Sequence, residues 1–214
     1  MSGLDVTRHG NAPGAALPAD PLFFFDLANP QAYLVAERIL QVMPVATAWI
    51  PVLARELAAP QDWATIDAQQ REDYAERVAQ RGLQPLRWPQ PFPADSALAM
   101  RAATFARSIG RVVPFSLAAF RQAFAGGHDL EREETILIAG SACEMHPKSL
   151  LAGCATRVTR DALARATEMA ARCGARDVPA VWVPGKEPDL PGRIFHGDDD
   201  LDRAAAAALE LAAS

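Results

Sequence analysis

The chain has 214 residues, 50% of them hydrophobic and 22% charged, and its 21 Lys and Arg against 26 Asp and Glu give a formal net charge of −5. This composition is typical of a globular domain and excludes a disordered or collagen-like chain. A net acidic chain is a poor nucleic-acid binder, and no apolar run approaches the roughly 20 residues of a membrane helix. We therefore expect a soluble protein with a small-molecule substrate and neither a nucleic-acid nor a membrane partner.

The N-terminus and the cysteines favour a cytoplasmic location. Residues 1–20 lack the apolar segment of about 7 to 15 residues that a secretory signal needs, so we expect a flexible lead-in. The chain has three cysteines, an odd number, and no CxxC pair occurs among Cys143, Cys154 and Cys173. Because a disulfide framework cannot use all three, we expect reduced thiols.

A strand, a helix and a second strand follow the lead-in. The apolar run 22–25, ended by Asp26, predicts a short buried strand. Asn29 is suited to cap the next helix, and Pro30 to occupy its first turn, where the missing N–H costs nothing. Residues 46–52 predict the second strand. A strand–helix–strand unit is typical of α/β proteins with parallel strands.

The rest of the chain is first helical and then returns to strands. Helical periodicity predicts five helices in the middle, over 67–81, 95–109, 115–124, 131–142 and 160–173. Short apolar runs predict strands over 178–183 and 193–196, and an acidic first turn opens a last helix over 199–211. The order is βαβ, a helical block and ββα, with a proline at the start of the third strand.

This order is the thioredoxin topology with a large all-helical insertion, within the α/β class. We expect a thioredoxin-like domain in two parts, 21–60 and 160–214, interrupted by a helical insertion over 61–159. The lead-in precedes the first part.

Five segments carry a resemblance to known families. They are, in chain order, FFFDLANPQAYLVAERIL, the strand end WIPVL, the segment between Phe92 and Arg101, the pair Val178-Pro179, and the triplet GDD that ends at Asp199. Together they resemble 2-hydroxychromene-2-carboxylate isomerases and kappa-class glutathione transferases, which are relatives of the DsbA-like thioredoxin proteins. The resemblance covers most of the chain after residue 21.

The resemblance implies a thiol site where the first strand meets the first helix. The four residues there are Asn29, Pro30, Gln31 and Ala32, so both cysteines of the DsbA-like redox pair are replaced and dithiol exchange is disfavoured. The isomerases and kappa-class enzymes have a serine before the proline, whose hydroxyl donates to the glutathione sulfur. Asn29 takes its place, and its amide is still a donor. The alternative is that Asn29 only caps the helix.

Two further positions are implied to bind glutathione. Val178-Pro179 matches the cis-proline site, which leaves the N–H and C=O of Val178 free to pair with an extended peptide; otherwise Pro179 begins an edge strand in the trans form. Asp198 and Asp199 match the pair that binds the glutamyl ammonium of glutathione. The alternative for these two carboxylates is that they cap the last helix.

The segment that begins at Phe92 is expected to form the wall of the second-substrate pocket. Phe92 would contact a flat ring, and Arg101 would pair with a carboxylate in a bidentate fork. The alternative for Arg101 is a surface side chain lying over apolar neighbours.

By this resemblance the chain is a glutathione-dependent isomerase. Glutathione, or another low-molecular-weight thiol, would add reversibly to an enone from aromatic-compound degradation. The alternative is a DsbA-like protein without CxxC that is non-catalytic or of different specificity, and a third is a thiol oxidoreductase that uses one of the cysteines. Cys143, Glu144, His146 and Cys154 lack a convincing zinc geometry, so we expect no metal. A homodimer is left open, since relatives often dimerise.

Overall fold

The computed structural model describes residues 19–186 and 191–212, so all but the last two residues of the predicted lead-in lie outside the described part. Four strands form one sheet in the order β2-β1-β3-β4. They are β1 (Leu22–Phe25), β2 (Ala48–Pro51), β3 (Ala180–Val183) and β4 (Arg193–His196). β1 pairs in parallel with β2, and β3 runs antiparallel to both β1 and β4.

The helices follow in the predicted order. They are α1 (Pro30–Ala36), α2 (Ile39–Val42), α3 (Ala68–Gln80), α4 (Ala97–Ser108), α5 (Val112–Phe124), α6 (Glu133–Ser141), α7 (Pro147–Ala155), α8 (Arg157–Arg172) and α9 (Leu201–Ala212). Two short 3₁₀ turns, Ala54–Glu56 and Trp63–Thr65, follow β2. The thioredoxin-like α/β fold with its helical insertion is thus confirmed.

Four helices differ from the sequence-based prediction, and one of them, α5, begins at Val112, three residues before its predicted start. The first helix ends at Ala36 and a separate turn, α2, follows it. The helix α7 was not predicted, because its short span carries Gly153, which is unfavourable inside a helix. That glycine allows α7 to approach α4 closely, since a Cβ there would lie 2.3 Å from the ring of Phe105. α8 begins at Arg157 because the Thr156 hydroxyl accepts a hydrogen bond from the Thr159 N–H and caps it.

The sheet is buried on both faces. Phe23, Phe25 and Trp49 pack on one face in the larger core cluster, which the insertion helices and α1 complete. Phe24 and Ile50 point to the other face, into a smaller cluster with residues of α8. Strands covered on both sides are apolar throughout, which explains the uninterrupted run of β1. The polar residue that ends this run, Asp26, is therefore placed at the edge of the core.

Candidate functional site

A cavity of about 490 Å³ opens at the carboxyl end of β1. Four segments line it: the connection from β1 to α1, the beginning of the first 3₁₀ turn, the second 3₁₀ turn with the residues before it, and the loop before α4. Crevices beyond the carboxyl ends of strands are common ligand sites in α/β proteins. This cavity is therefore the candidate functional site.

Asn29 lies in the cavity wall and joins two parts of the chain. Its Oδ1 accepts a hydrogen bond from the Ala32 N–H at 2.9 Å, and its Nδ2 donates to the carbonyl oxygen of Val178 at 2.7 Å. The residue is only 2% exposed. An amide nitrogen carries two protons, and among the described residues the second one has no acceptor. The predicted cap at Asn29 is confirmed, and one donor remains for a ligand.

The Val178–Pro179 peptide bond is cis, as the resemblance implied. The expectation that both backbone groups of Val178 are free is wrong. Its N–H donates to Oδ1 of Asp177 at 2.7 Å, and its carbonyl accepts the Asn29 amide. A carbonyl oxygen accepts two hydrogen bonds, so one position on Val178 remains. The roles of Val178 and Pro179 in ligand binding stay predictions.

Asp26 connects three of the cavity walls. Its Oδ1 accepts a hydrogen bond from the Ala28 N–H, and its Oδ2 accepts bonds from the Ala54 N–H and the Ser96 hydroxyl, each at 3.0 Å. The carboxyl is 4% exposed, and all four residues line the cavity. Burial raises the pKa of Asp26, an effect larger than the opposing effects of the three hydrogen bonds and of Arg55.

The rim of the cavity carries an ion pair. Arg55 Nη1 lies 2.7 Å from Oδ1 of Asp95, and both side chains are about half exposed. The pKa of Asp95 is lowered, first by the hydrogen bond from the Ala97 N–H and then by Arg55. Asp62 accepts a hydrogen bond from the Ala64 N–H and caps the second 3₁₀ turn. The hydrogen bond from Ala97 and the ion pair with Arg55 thus favour the charged form of Asp95, whereas burial disfavours the charged form of Asp26.

Asp198 and Asp199, the predicted ammonium ligands, differ in accessibility. Asp198 is 2% exposed and contacts Arg38 at 3.5 Å, Arg77 at 3.4 Å, and Arg81. Asp199 pairs with Arg77 at 2.6 Å, but its side chain is 80% exposed. The hydrogen bond from Arg77 is the main cause that lowers the pKa of Asp199. Of the two carboxylates, only Asp199 is open to a ligand.

A second, polar cleft of about 200 Å³ lies beside Asp199. Gln31 in the first turn of α1 donates from Nε2 to the Tyr74 hydroxyl at 2.8 Å, and both side chains line this cleft. Gln61 lines the cleft and the larger cavity alike. Gln61 is therefore a wall that the two spaces share.

The family model of the DSBA-like thioredoxin domain matches residues 22–208. The chain belongs to the DSBA-like thioredoxin domain family. No curated protein sequence matches this DSBA-like chain.

Solved structures of similar fold include both isomerases and thiol oxidoreductases. A 2-hydroxychromene-2-carboxylate isomerase superimposes with a TM-score of 0.76 at 13% identity, covering 90% of this chain and 95% of the isomerase. A probable DsbA oxidoreductase from Streptomyces coelicolor gives 0.65 at 17% identity, covering 89% and 90%. The cytosolic disulfide reductase DsbM from Pseudomonas aeruginosa, solved with GSH, gives 0.60 at 14%, covering 91% and 98%. At these identities the likeness shows the fold alone.

The predicted wall of the second-substrate pocket is only partly at the cavity. Phe92 packs on Trp88 with ring centroids 4.7 Å apart, while its neighbour Pro93 lines the cavity. Arg101 lies half-buried on α4. Among the described residues that line the cavity, neither Phe92 nor Arg101 is present, so their contact with a substrate stays a prediction.

Sequence reasoning missed Asp26, Arg55 and Trp63 as cavity residues, whereas Ser96 lies in the segment from Phe92 to Arg101 that was expected to form a pocket wall. A signal existed for Asp26, a carboxyl directly after a fully buried strand, since buried carboxyls are rare. For Arg55 and Trp63 no local signal exists, because each is placed by a turn whose path is set by tertiary packing.

The three cysteines of the DSBA-like chain are free and buried. Burial raises the pKa of each thiol, that of Cys154 to about 11. Within the described residues none of them lines the cavity. Since the thiolate is the nucleophile, the thiol oxidoreductase alternative has no support from these positions.

Within residues 19–186 and 191–212, no group of three or more His, Cys, Asp or Glu is placed to hold a metal ion. Across the same two stretches, no helix is both long and apolar enough to cross a membrane.

Proposed function

We propose that this DSBA-like protein binds glutathione, or a similar small thiol, in the cavity and uses it to isomerise an enone from aromatic-compound degradation. The observation that carries the proposal is the spare N–H of Asn29, held at the wall of a 490 Å³ cavity by two hydrogen bonds. A fixed donor at this point suits a thiolate sulfur. The similar folds of an isomerase and of a reductase solved with GSH support the choice of ligand and reaction.

The sulfur must come from the ligand. The positions of the redox pair are Asn29 and Ala32, and the three cysteines are buried elsewhere. The first turn of α1 has few donors to offer, because Pro30 lacks an N–H and the Ala32 N–H already bonds to Asn29. The Asn29 amide is therefore the donor that lowers the pKa of a bound thiol.

In this proposal the peptide part of glutathione runs from the cavity toward the polar cleft. With the sulfur at Asn29, the chain would pass Gln61 and reach the cleft that Asp199 lines. The exposed carboxylate of Asp199 suits the glutamyl ammonium. Asp198 would act indirectly, by fixing Arg77 through their contact at 3.4 Å.

The chemistry then follows from thiol addition. The sulfur attacks the β-carbon of the enone, the former double bond becomes a single bond and rotates, and elimination restores the double bond with the other geometry. The cavity holds the sulfur next to the enone, so that a bimolecular reaction becomes effectively intramolecular. Free cysteines and the cytosolic reductase of similar fold favour a cytoplasmic setting.

A second candidate is a non-catalytic thiol or peptide binder of the same fold. One observation favours it: the position of the catalytic serine holds Asn29, whose side chain already caps α1 and bonds to the Val178 carbonyl. A side chain engaged in this structural role is less suited to catalysis than a free hydroxyl. Binding without isomerisation is the outcome that this candidate predicts.

The test is a glutathione titration by calorimetry combined with an isomerisation assay. We expect saturable binding of reduced glutathione at millimolar concentration or below, and glutathione-dependent turnover of 2-hydroxychromene-2-carboxylate. S-methylglutathione is the control ligand, since it should bind without supporting turnover. No binding at millimolar glutathione rejects the proposal, and binding without turnover of this or related enones selects the second candidate.

A further inference from the structure

The carboxyl of Asp26 has one open hydrogen-bonding position in the cavity wall. Each carboxylate oxygen accepts about two hydrogen bonds. Oδ2 has both of its positions filled, by the Ala54 N–H and the Ser96 hydroxyl, whereas Oδ1 accepts only the Ala28 N–H among the described residues. A proton on this carboxyl would therefore sit on Oδ1.

The charges around Asp26 do not neutralise it. The other charged residues that line the cavity are Arg55, Asp62 and Asp95, and Arg55 is committed to Asp95 at 2.7 Å on the exposed rim. In the described part of the chain Asp26 forms no ion pair of its own. A carboxylate that is buried without a cationic partner is costly, and this favours the protonated acid.

The other charged side chains that line the cavity are held differently from Asp26. Arg55 is paired with Asp95 on the rim. Asp95 is half exposed and held as a carboxylate by Ala97 and Arg55, and Asp62 is an exposed cap. Burial acts on Asp26 in the opposite direction and raises its pKa. Of the described groups that line the cavity, Asp26 is thus the one placed to hold a proton.

We propose that Asp26 is the acid–base residue of this cavity, passing a proton between its Oδ1 and the carbonyl oxygen of a bound enone. The inference rests on the function proposed above and gives a role to Asp26, a residue to which the family resemblance assigned none. It also restricts the ligand class to compounds whose carbonyl oxygen can accept a proton once a thiolate has added to the conjugated carbon.

The proton and the electrons balance over the cycle. The thiolate lone pair forms the C–S bond, the π electrons move to the carbonyl oxygen, and this oxygen takes the proton from Oδ1, which leaves Asp26 as a carboxylate. After rotation Asp26 takes the proton back, the double bond forms again, the C–S bond breaks and the thiolate leaves. The donors on Ala28, Ala54 and Ser96 stabilise the carboxylate that exists between the two steps.

The first test follows the carboxyl carbon of Asp26 by ¹³C NMR in the full chain as a function of pH, and it does not need a substrate. We expect a titration midpoint above the ordinary range for Asp, and a further rise in Ser96→Ala, because that variant loses a donor to the carboxylate. A midpoint in or below the ordinary range overturns the proposal.

The second test uses Asp26→Asn, which keeps the shape of the side chain but has no acidic proton. We expect glutathione affinity within about twofold of wild type and kcat lower by about 10²-fold to 10⁴-fold. In the pH–rate profile, the fall in rate with rising pH that wild type shows should be lost. Ser96→Ala is the control that keeps the acidic group, so in its profile this fall should remain and move to higher pH. Wild-type kcat in a folded Asp26→Asn protein overturns the proposal.

The two proposals fail in different ways. If wild type does not bind glutathione, the proposed function falls, and Asp26 loses its role as an enone acid even where the NMR midpoint is raised. If glutathione binds and turnover occurs but Asp26→Asn leaves kcat unchanged, only the role of Asp26 falls. If Asp26→Asn does not fold, the Ser96→Ala variant decides: its NMR midpoint and the pH at which its rate falls should rise together, and a shift in the midpoint without a shift in the rate profile overturns the role of Asp26.

Discussion

Nδ2 of Asn29 donates a 2.7 Å hydrogen bond to the carbonyl oxygen of Val178, which lies 149 positions later in the chain. Oδ1 of the same amide caps α1 through the Ala32 N–H. One side chain thus joins the start of the first helix to the cis bond before the third strand. In this DSBA-like chain, the position that carries sulfur chemistry in redox relatives has become a structural link with one donor to spare.

The first prediction concerns stability. Asn29→Ala removes both hydrogen bonds and leaves the Val178 carbonyl without its partner. We expect a loss of about 2 to 3 kcal/mol in the free energy of unfolding, measured by urea denaturation. The control is Asp67→Ala, which removes an exposed cap from α3 and should cost about 1 kcal/mol. Equal losses in the two variants would show that the link to Val178 contributes nothing.

The second prediction concerns the donor at Asn29. Asn29→Asp keeps an acceptor for the Ala32 N–H but has no proton to give and adds a negative charge beside the sulfur. We expect glutathione affinity to fall about tenfold or more, measured by calorimetry. Asn29→Ser keeps a donor and releases the Val178 carbonyl, so we expect binding to persist and the isomerisation rate to rise. Unchanged affinity in Asn29→Asp would remove this amide from the binding site.

The third prediction concerns the arginines around Asp198. Arg81→Ala removes a direct partner of this buried carboxylate and leaves Arg38 and Arg77 at the longer distances of 3.5 and 3.4 Å. Because the two remaining arginines compensate this buried charge less well, we expect a loss of about 2 kcal/mol in the free energy of unfolding.

A matched control for the arginine cluster is Arg157→Ala. Arg157 is 86% exposed and pairs with Asp161 at 3.4 Å, so its loss should change the free energy of unfolding by less than about 1 kcal/mol. Similar values for Arg81→Ala and Arg157→Ala would mean that the Asp198 cluster is no more than a surface ion pair.

The fourth prediction concerns the pH dependence of stability. Since burial raises the pKa of Asp26, the folded protein binds a proton more readily than the unfolded chain does. The stabilising contribution of Asp26 is therefore complete below the ordinary Asp value of about 3.9 and is lost as pH rises through the higher folded pKa. We expect the free energy of unfolding of wild type, minus that of Asp26→Asn, to fall over this interval. A difference that rises with pH would give Asp26 a lowered pKa.

The sequence predicted what is local and missed what tertiary packing assembles. The strand at 22–25 and the cap at Asn29 could be predicted, because an apolar run and a side chain three residues before its backbone partner are visible in a short window. The contact of Asp26 with Ser96 could not, because it joins residues 70 positions apart. The cis bond at Pro179 was expected only through the family resemblance.

Tertiary packing also explains why Asp198 and Asp199 differ in exposure. Asp198 and Asp199 are adjacent and chemically identical, so the sequence could not tell which one is accessible. Asp198 is contacted by Arg77 in α3, by Arg81 at the end of α3 and by Arg38 in the α1–α2 connection. These three side chains bury its carboxylate. Asp199 pairs with Arg77 as well, but its side chain stays 80% exposed.

The most direct test is a crystal structure of this DSBA-like protein with reduced glutathione. The account predicts the sulfur in the cavity, within hydrogen-bonding contact of Asn29 Nδ2, with the peptide passing Gln61 toward Asp199. Glutathione bound with its sulfur away from Asn29, or an empty cavity at saturating glutathione, would contradict it.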